Sequence, residues 1–188
     1  MFSDHTLADR VNTLEEYYTE LFRLQTHHHG ADYMLVHDEL KRVLEEATSY
    51  CELGVNQGTT LGTALLLSNI RVARAYDINL KPYDLARHMF DEYASKAGID
   101  LRVFEADTLT CSVDEVDVMY IDTKHYYDHL KKELARHGHK VQQYIVFHDT
   151  VTGKNLDRAV KEYVQHNNQW TIVTDCKTDV GFMTIQRG

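Results

Sequence analysis

The sequence predicts an α/β fold in which a mostly parallel sheet carries helices on both faces and follows an N-terminal helical extension. Three observations predict this class. Short apolar stretches alternate with segments of helical periodicity, which is the pattern of strand–helix–strand crossovers. A glycine turn follows the first of these stretches, and acidic residues follow most of the others. Since no repeat or linker interrupts the pattern, we expect one domain, with the extension at residues 1–49 and the sheet at residues 50–188.

The extension is predicted to contain two amphipathic helices. Apolar residues recur every three or four positions over residues 6–25 and again over residues 36–48, as expected for helices with one buried face. We expect these helices to pack beside the sheet or to cover a ligand. The histidine tract at residues 27–29 lies between them. A solvated loop is the favoured interpretation of this tract, and a metal-binding segment is the alternative.

The segment from Cys51 to Gly62 indicates a strand, a glycine turn and a helix. Glycine allows positive φ and a close approach of a ligand to the main chain, and the helix that follows adds unpaired N–H groups. Asn56 stands where a dinucleotide-binding fingerprint has its middle glycine. Glu52, at the strand end, would repel a pyrophosphate but suits a ligand with cationic groups or hydroxyl donors, such as S-adenosylmethionine (SAM). A tight turn without a ligand is the alternative.

The next two predicted strands also end near acidic residues. Residues 72–77 end at Asp77, which follows Gly54 by 23 positions, close to the offset at which an acid hydrogen-bonds ribose hydroxyls. A surface turn aspartate is the alternative interpretation of Asp77. A helix over residues 82–97 then leads to a third strand at 101–104. Asp107, beyond that strand, is placed to meet an adenine amino group, and an ordinary loop acid is the alternative interpretation.

The remaining strands bring histidines and further acids to the same side. Residues 116–121 form a buried fourth strand ending at Asp122, and residues 144–147 form a fifth ending at His148 and Asp149. Helices over 125–137 and 156–164 and two closing strands complete the pattern, near 170–175 and 180–186. Ligands of open parallel sheets bind outside the carboxyl ends of the strands. We therefore expect these acidic and histidine side chains to surround a ligand.

Two catalytic features are predicted at this edge. His125 lies one helical turn after Asp122 and is a candidate general base, since an imidazole titrates near working pH. A helix-capping role for Asp122 is the alternative. Asp122, His148 and Asp149 could together hold a divalent cation such as Mg²⁺ or Mn²⁺, although hard cations prefer oxygen ligands.

The segment Glu52–Thr60 resembles motif I of class I SAM-dependent methyltransferases. The segments 121–134, 145–150 and 158–163 are similar to a small-molecule branch of that family, which includes cephalosporin-hydroxylase-like proteins and sugar O-methyltransferases. The resemblance implies a Rossmann-like sheet of seven strands whose last strand is antiparallel. It also implies that SAM is bound by the Glu52–Gly58 loop and by Asp77. Together with the positions expected at the same edge of the sheet, the predicted cofactor-binding residues are Glu52, Gly54, Asn56, Gly58, Thr59, Asp77, Asp107 and Asp122.

The resemblance further implies catalysis by Asp122 and His125 and a metal at Asp122, His148 and Asp149. His148 stands where relatives carry glutamate, and Val141-Gln142-Gln143 replaces their Pro-Gly-Gly turn. The implied activity is methyl transfer from SAM to an oxygen or nitrogen of a small molecule. A SAM-binding protein without transferase activity is one alternative. An NAD-dependent oxidoreductase is another, and Asn56 argues against it.

Composition restricts the partners. A hydrophobic content of 43% and a charged content of 26% are those of an ordinary soluble domain. The formal net charge of −9 disfavours adhesion to nucleic acid or to an anionic membrane. The sequence shows neither a secretory signal nor a membrane span, and its 3 cysteines are isolated. We therefore expect a cytoplasmic protein with free thiols, and the sequence leaves its oligomeric state open.

Overall fold

A computed structural model of the protein describes residues 5–30 and 32–188. These residues contain one seven-stranded sheet with helices packed against it. The strands are β1 (Ser49–Leu53), β2 (Val72–Asp77), β3 (Asp100–Glu105), β4 (Val116–Ile121), β5 (Val141–His148), β6 (Trp170–Cys176) and β7 (Phe182–Arg187). Their order is β3-β2-β1-β4-β5-β7-β6. Strands β1 to β5 are parallel, and β7 runs antiparallel to both β5 and β6. The predicted Rossmann-like α/β fold is confirmed.

The helices fall in two groups. Those of the extension are α1 (His5–Ala8), α2 (Leu14–His29) and α3 (Asp32–Leu44). Those between the strands are α4 (Thr59–Leu66), α5 (Lys81–Asp84), α6 (Arg87–Ala97), α7 (Tyr127–His137) and α8 (Leu156–His166), with a 3₁₀ turn at Gly138–Lys140. Within residues 5–30 and 32–188, none of these helices combines the length and the apolar character needed to cross a bilayer.

Three helix predictions are corrected. The helix expected over 6–25 begins at Leu14, because Thr13 accepts a hydrogen bond from Glu16 N at 3.2 Å and Glu16 accepts one from Asn12 N at 2.9 Å, a reciprocal cap. The histidine tract predicted as a loop forms the last turn of α2. The helix expected over 82–97 is interrupted between α5 and α6, and Tyr83 and Phe90 on the two pieces pack at 5.0 Å between ring centroids.

Different helices cover the two faces of the sheet, because alternate residues of a strand point to opposite sides. In β1, Tyr50 belongs to a buried cluster formed with α2, α3, α4 and α6. Cys51 and Leu53 belong to a second cluster formed with α7 and α8. The extension therefore shares a hydrophobic core with the sheet.

The second face is only partly covered beside β3. The connection between β3 and β4, residues 106–115, contains no helix. Phe104 is consequently 39% exposed and stacks on Tyr76 with ring centroids 5.0 Å apart. Because no helix packs on this part of the sheet, there is space at the carboxyl ends of β2, β3 and β4, next to the glycine turn.

Candidate functional site

The turn between β1 and α4 requires glycine at two positions, Gly54 and Gly58. Gly54 has φ +91°, and a Cβ there would lie 2.0 Å from the backbone oxygen of Asp122. Gly58 has φ +85°, and a Cβ there would lie 2.7 Å from Cζ of Phe90. Asn56 also has positive φ, at 47°, which asparagine tolerates better than most residues. The turn therefore keeps the main chain bare where α4 begins.

Asp77 holds this turn in place. Its Oδ2 accepts hydrogen bonds from the backbone N–H groups of Val55 at 2.8 Å and Asn56 at 3.0 Å. Its Oδ1 accepts one from Asn79 N at 3.0 Å. The carboxylate thus orders the glycine turn, a role that the sequence prediction of ribose binding did not include. Since each carboxylate oxygen accepts about two hydrogen bonds, Oδ1 retains capacity for a hydroxyl donor.

Glu52 lies beneath the turn and is 0% exposed. It accepts hydrogen bonds from the hydroxyls of Tyr50 at 2.7 Å and Thr60 at 2.5 Å. Burial raises the pKa of Glu52 to about 8, and the negative charges of Asp122 and Asp77 act in the same direction. The carboxyl therefore keeps its proton at neutral pH, and it supports the turn from below.

Two cavities lie against the turn at the carboxyl edge of the sheet. The first, of about 220 Å³, extends toward the loop after β3. The second, of about 330 Å³, lies under the extension and beside β5. Both are lined by Gly54, Asp77, Asp122 and Thr123, so they adjoin each other around the turn.

Most of the predicted cofactor-binding residues line these cavities. Asp107 lines the first cavity and Asn56 and Thr59 line the second, in addition to the shared Gly54, Asp77 and Asp122. Glu52 and Gly58 are not among the described residues that line either cavity. They act through the turn itself, Glu52 by supporting it and Gly58 by giving room to Phe90.

Two histidines and two aspartates form a compact cluster at one end of the second cavity. Nε2 of His125 lies 3.0 Å from Asp122 Oδ1 and 3.0 Å from Asp149 Oδ2. Nδ1 of His148 lies 3.3 Å from Asp122 Oδ2 and 3.4 Å from Asp149 Oδ2. This Nδ1 is buried, and it pairs with the two carboxylates at distances longer than those of a close hydrogen bond. The structure thus brings together the predicted catalytic residues and the predicted metal ligands.

The cluster pairs protonated histidines with ionised aspartates. Hydrogen bonds to Asp122 and Asp149 raise the pKa of His125 to about 10. Burial disfavours charge on His148, but the same two carboxylates outweigh it and raise the pKa of His148 to about 10. The histidines in turn lower the pKa values of Asp122 and Asp149, against the effect of their burial. At neutral pH both imidazoles are protonated, which differs from the expectation that His125 titrates near working pH.

The extension supplies part of the second cavity, which sequence reasoning did not predict. Gln25 of α2 and Tyr33 of α3 line it, and the Tyr33 hydroxyl donates to Gln25 Oε1. His37 of α3 fixes this arrangement to α4, since its Nδ1 lies 2.6 Å from Thr63 Oγ1. No local pattern marks Gln25 or Tyr33. By contrast, Tyr120, which also lines the cavity, could have been found from its place at the end of β4.

Comparisons with known proteins show a shared fold. No family model and no curated protein matches the chain. Among solved structures, an O-methyltransferase from Bacillus cereus in complex with S-adenosyl-L-homocysteine (SAH) matches with TM-score 0.62 and 14% identity, over 98% of this chain and 96% of that chain. The N-methyltransferase NodS from Bradyrhizobium japonicum WM9, also with SAH, matches with TM-score 0.65 and 11% identity, over 84% and 88%.

A ribosomal protein L11 methylase from Lactobacillus delbrueckii subsp. bulgaricus matches with TM-score 0.58 and 15% identity, over 79% of this chain and 74% of that chain. At these identities the matches establish the fold. The chain folds like methyltransferases whose structures were solved with SAH bound.

Proposed function

We propose that this chain, which has the fold of SAH-binding methyltransferases, binds SAM and transfers its methyl group to an oxygen or nitrogen of a small molecule. The observation that carries the proposal is the pair of adjoining cavities around the Gly54 turn, lined by Asp77 and Asp122. SAM, when bound, supplies a methyl group already activated on a sulfonium. The protein needs to align donor and acceptor and to exclude water.

The two cavities differ in a way that suits the two ends of SAM. Ile78, Ala106 and Tyr76 give the first cavity an apolar lining, which suits a purine ring. The second cavity is lined by the glycine turn, by the start of α4 at Thr59 and by several acids. Such a lining suits the ammonium and sulfonium charges, and the N–H groups at the start of α4 suit a carboxylate.

His125 and Asp122 are the proposed catalytic residues, placed at the rim of the second cavity. An acceptor hydroxyl or amine loses a proton as it is methylated, and His125 would take that proton. Asp122 and Asp149 raise the pKa of His125 to about 10, so this imidazole is a cation at neutral pH. The proposed role therefore requires that His125 lose this proton when a sulfonium charge enters the same cavity.

A divalent cation would also fit the cluster. The ligand-capable atoms of Asp122, His148 and Asp149 lie within 4.8 Å of one another, and a cation bound at Nδ1 of His148 would displace the proton that this nitrogen otherwise carries. A set of one imidazole and two carboxylates suits Mn²⁺, Fe²⁺ or Zn²⁺ better than Mg²⁺. We propose these three residues as its ligands, and the cation would lower the pKa of an acceptor hydroxyl.

A small acceptor is supported by charge and by shape. The net charge of −9 disfavours an RNA acceptor. Gln25 and Tyr33 from the extension line the second cavity. Its volume of about 330 Å³ must also take the amino-acid end of SAM. A protein acceptor, as the name of the L11 methylase indicates for that enzyme, is the competing outcome of the test.

The test compares the wild type with His125→Ala and with the matched control His88→Ala, which changes an exposed histidine on α6. Methyl transfer from labelled SAM is measured with a panel of small acceptors, peptides and RNA, and SAH affinity is measured by calorimetry. We expect His125→Ala to lose about 100-fold or more in turnover and to keep its SAH affinity, while His88→Ala keeps both.

Three outcomes would contradict the proposal. A fall in SAH affinity together with turnover would make His125 part of the cofactor site rather than a base. Retention of labelled SAM without transfer to any acceptor would indicate a binding protein. A thermal shift with NAD(H) and none with SAM would indicate an oxidoreductase.

A further inference from the structure

Tyr120 of β4 is a buried tyrosine that the proposed transfer does not use. It is 1% exposed, and it lines the second cavity but not the first. Its hydroxyl has no hydrogen-bond partner among residues 5–30 and 32–188. A phenolic hydroxyl both donates and accepts, and burying it without a partner costs free energy because its hydrogen bonds to water are lost.

The other buried tyrosines of the described chain show how such a hydroxyl is ordinarily satisfied. Tyr50 donates to a buried carboxylate at 2.7 Å, and Tyr17 and Tyr76 donate to backbone oxygens at 3.4 Å. Tyr83 is the exception, since its hydroxyl is fully buried without a partner. Tyr83 lies on α5 and lines neither cavity, whereas a partner for the Tyr120 hydroxyl can enter from the second cavity.

The position of Tyr120 is next to the proposed catalytic cluster. In the sheet it lies between Glu52 of β1 and Val146 of β5. Its ring centroid is 6.3 Å from that of His148, and His125 and His148 line the same cavity. Tyr120 therefore lies at the end of the second cavity where the acceptor would lose its proton.

The cofactor does not need this hydroxyl. The carboxylate of SAM suits the N–H groups at the start of α4, and its ammonium and sulfonium suit the acids that line the second cavity. The purine ring suits the first cavity, which Tyr120 does not line. The group best placed to pair with the Tyr120 hydroxyl is therefore a polar group of the acceptor.

We infer that Tyr120 is a specificity-determining residue that hydrogen-bonds the methyl acceptor, through a second polar group carried beside the atom that is methylated. This inference rests on the proposed function and deepens it by naming the class of acceptor. Diols, hydroxy acids and amino alcohols belong to this class, and simple alcohols and phenols do not. Such a hydrogen bond, formed with a buried hydroxyl that is otherwise unpaired, should contribute about tenfold to the affinity for the acceptor.

The test uses two pairs of probes, catechol with phenol and lactate with ethanol, in which one member has a second polar group and the other has none. Turnover with labelled SAM gives kcat and KM for the wild type, for Tyr120→Phe and for the matched control Tyr83→Phe, which removes the other unpaired buried hydroxyl. Calorimetry gives the dissociation constant of SAH, and thermal denaturation gives Tm.

We expect the wild type to use catechol or lactate with a kcat/KM about tenfold or more above that of the simpler probe in the pair. Tyr120→Phe should raise the KM for that acceptor about tenfold and keep the SAH affinity. Its Tm should not fall, because the lost hydroxyl has no partner in the fold, whereas a merely structural role would lower Tm without a selective change in KM. Tyr83→Phe should leave KM and SAH affinity unchanged.

The outcomes separate this inference from the function on which it rests. An unchanged KM in Tyr120→Phe overturns the inference and leaves the SAM site standing, and so does a fall in SAH affinity or an equal rise in KM in Tyr83→Phe. Transfer to none of the four probes by a wild type that binds SAH also overturns it, and the proposed function fails only if the wider acceptor panel gives no transfer as well. Should Tyr120→Phe fail to fold, the wild type decides, because equal kcat/KM within both pairs overturns the inference.

Discussion

Replacing Glu52 by glutamine should change how the stability of the protein depends on pH. In the folded chain this carboxyl is fully buried between Tyr50 and Thr60, and its pKa is raised from 4.5 to about 8. Between these two values the unfolded chain has released the proton while the folded chain retains it. The unfolded state therefore binds fewer protons, and the free energy of unfolding falls as the pH rises.

The size of the effect follows from the same two values. The stabilising contribution of the raised pKa is complete below pH 4.5 and is lost by about pH 8. One pKa unit corresponds to about 1.4 kcal/mol, so the difference of 8 − 4.5 corresponds to about 5 kcal/mol. Glutamine has a similar shape and does not ionise, so the stability of Glu52→Gln should not fall in this way as the pH rises.

The assay is urea denaturation followed by circular dichroism at pH 5, 6, 7 and 8, with Glu46→Gln as the matched control at an exposed glutamate. We expect the free energy of unfolding of Glu52→Gln, relative to that of the wild type, to rise by about 1.4 kcal/mol for each pH unit between 5 and 7.5. Glu46→Gln should show the same pH dependence as the wild type. Parallel stability curves for Glu52→Gln and wild type would show that Glu52 is ionised in the fold, and the reasoning about its burial would be wrong.

Two further variants test the turn and the sheet. Gly54→Ala places a Cβ 2.0 Å from the Asp122 backbone oxygen and should lower stability by about 3 kcal/mol or more and abolish SAH binding. Gly98 has a similar positive φ, but a Cβ there would meet nothing within 4 Å. Thermal denaturation should therefore show that Gly98→Ala lowers stability by only about 1 kcal/mol. Equal losses of stability in the two variants would contradict the predicted clash at Gly54. Asp117 accepts hydrogen bonds from Thr48 N and Oγ1 and from Ser49 N at 2.7 to 3.0 Å, and Asp117→Asn should cost about 1 to 2 kcal/mol at pH 7. These hydrogen bonds hold the pKa of Asp117 below 3.8 despite its burial. The loss of stability in Asp117→Asn should therefore become smaller as the pH falls below 3.8. A loss that is the same at every pH in urea titrations would show that Asp117 does not stabilise the fold as a carboxylate.

The strands and the residues at their ends could be predicted from the sequence because both depend on local pattern. Apolar runs such as 116–121 and 144–147 correspond to β4 and β5, and parallel order then brings Asp122, His148 and Asp149 to one edge. The glycine turn was also predictable, since no other residue fits the φ and the spacing at Gly54.

The properties that depend on distant neighbours could not be predicted. The raised pKa of His125 depends on Asp149, which lies on a different strand end. The role of Asp77 in holding Val55 and Asn56 depends on how β1 and β2 pair. Gln25 and Tyr33 reach the second cavity only because α2 and α3 pack on the sheet, and nothing in their own segments indicates it.

The cofactor assignment rests on a single binding event that calorimetry can measure. Purified, folded wild-type protein should bind SAH with one site per chain, and Gly54→Ala should bind none while Gly98→Ala binds as the wild type does. Absence of binding heat from both SAM and SAH across temperatures, with folded wild-type protein, would contradict the assignment of the Gly54 turn and Asp77 as a SAM site.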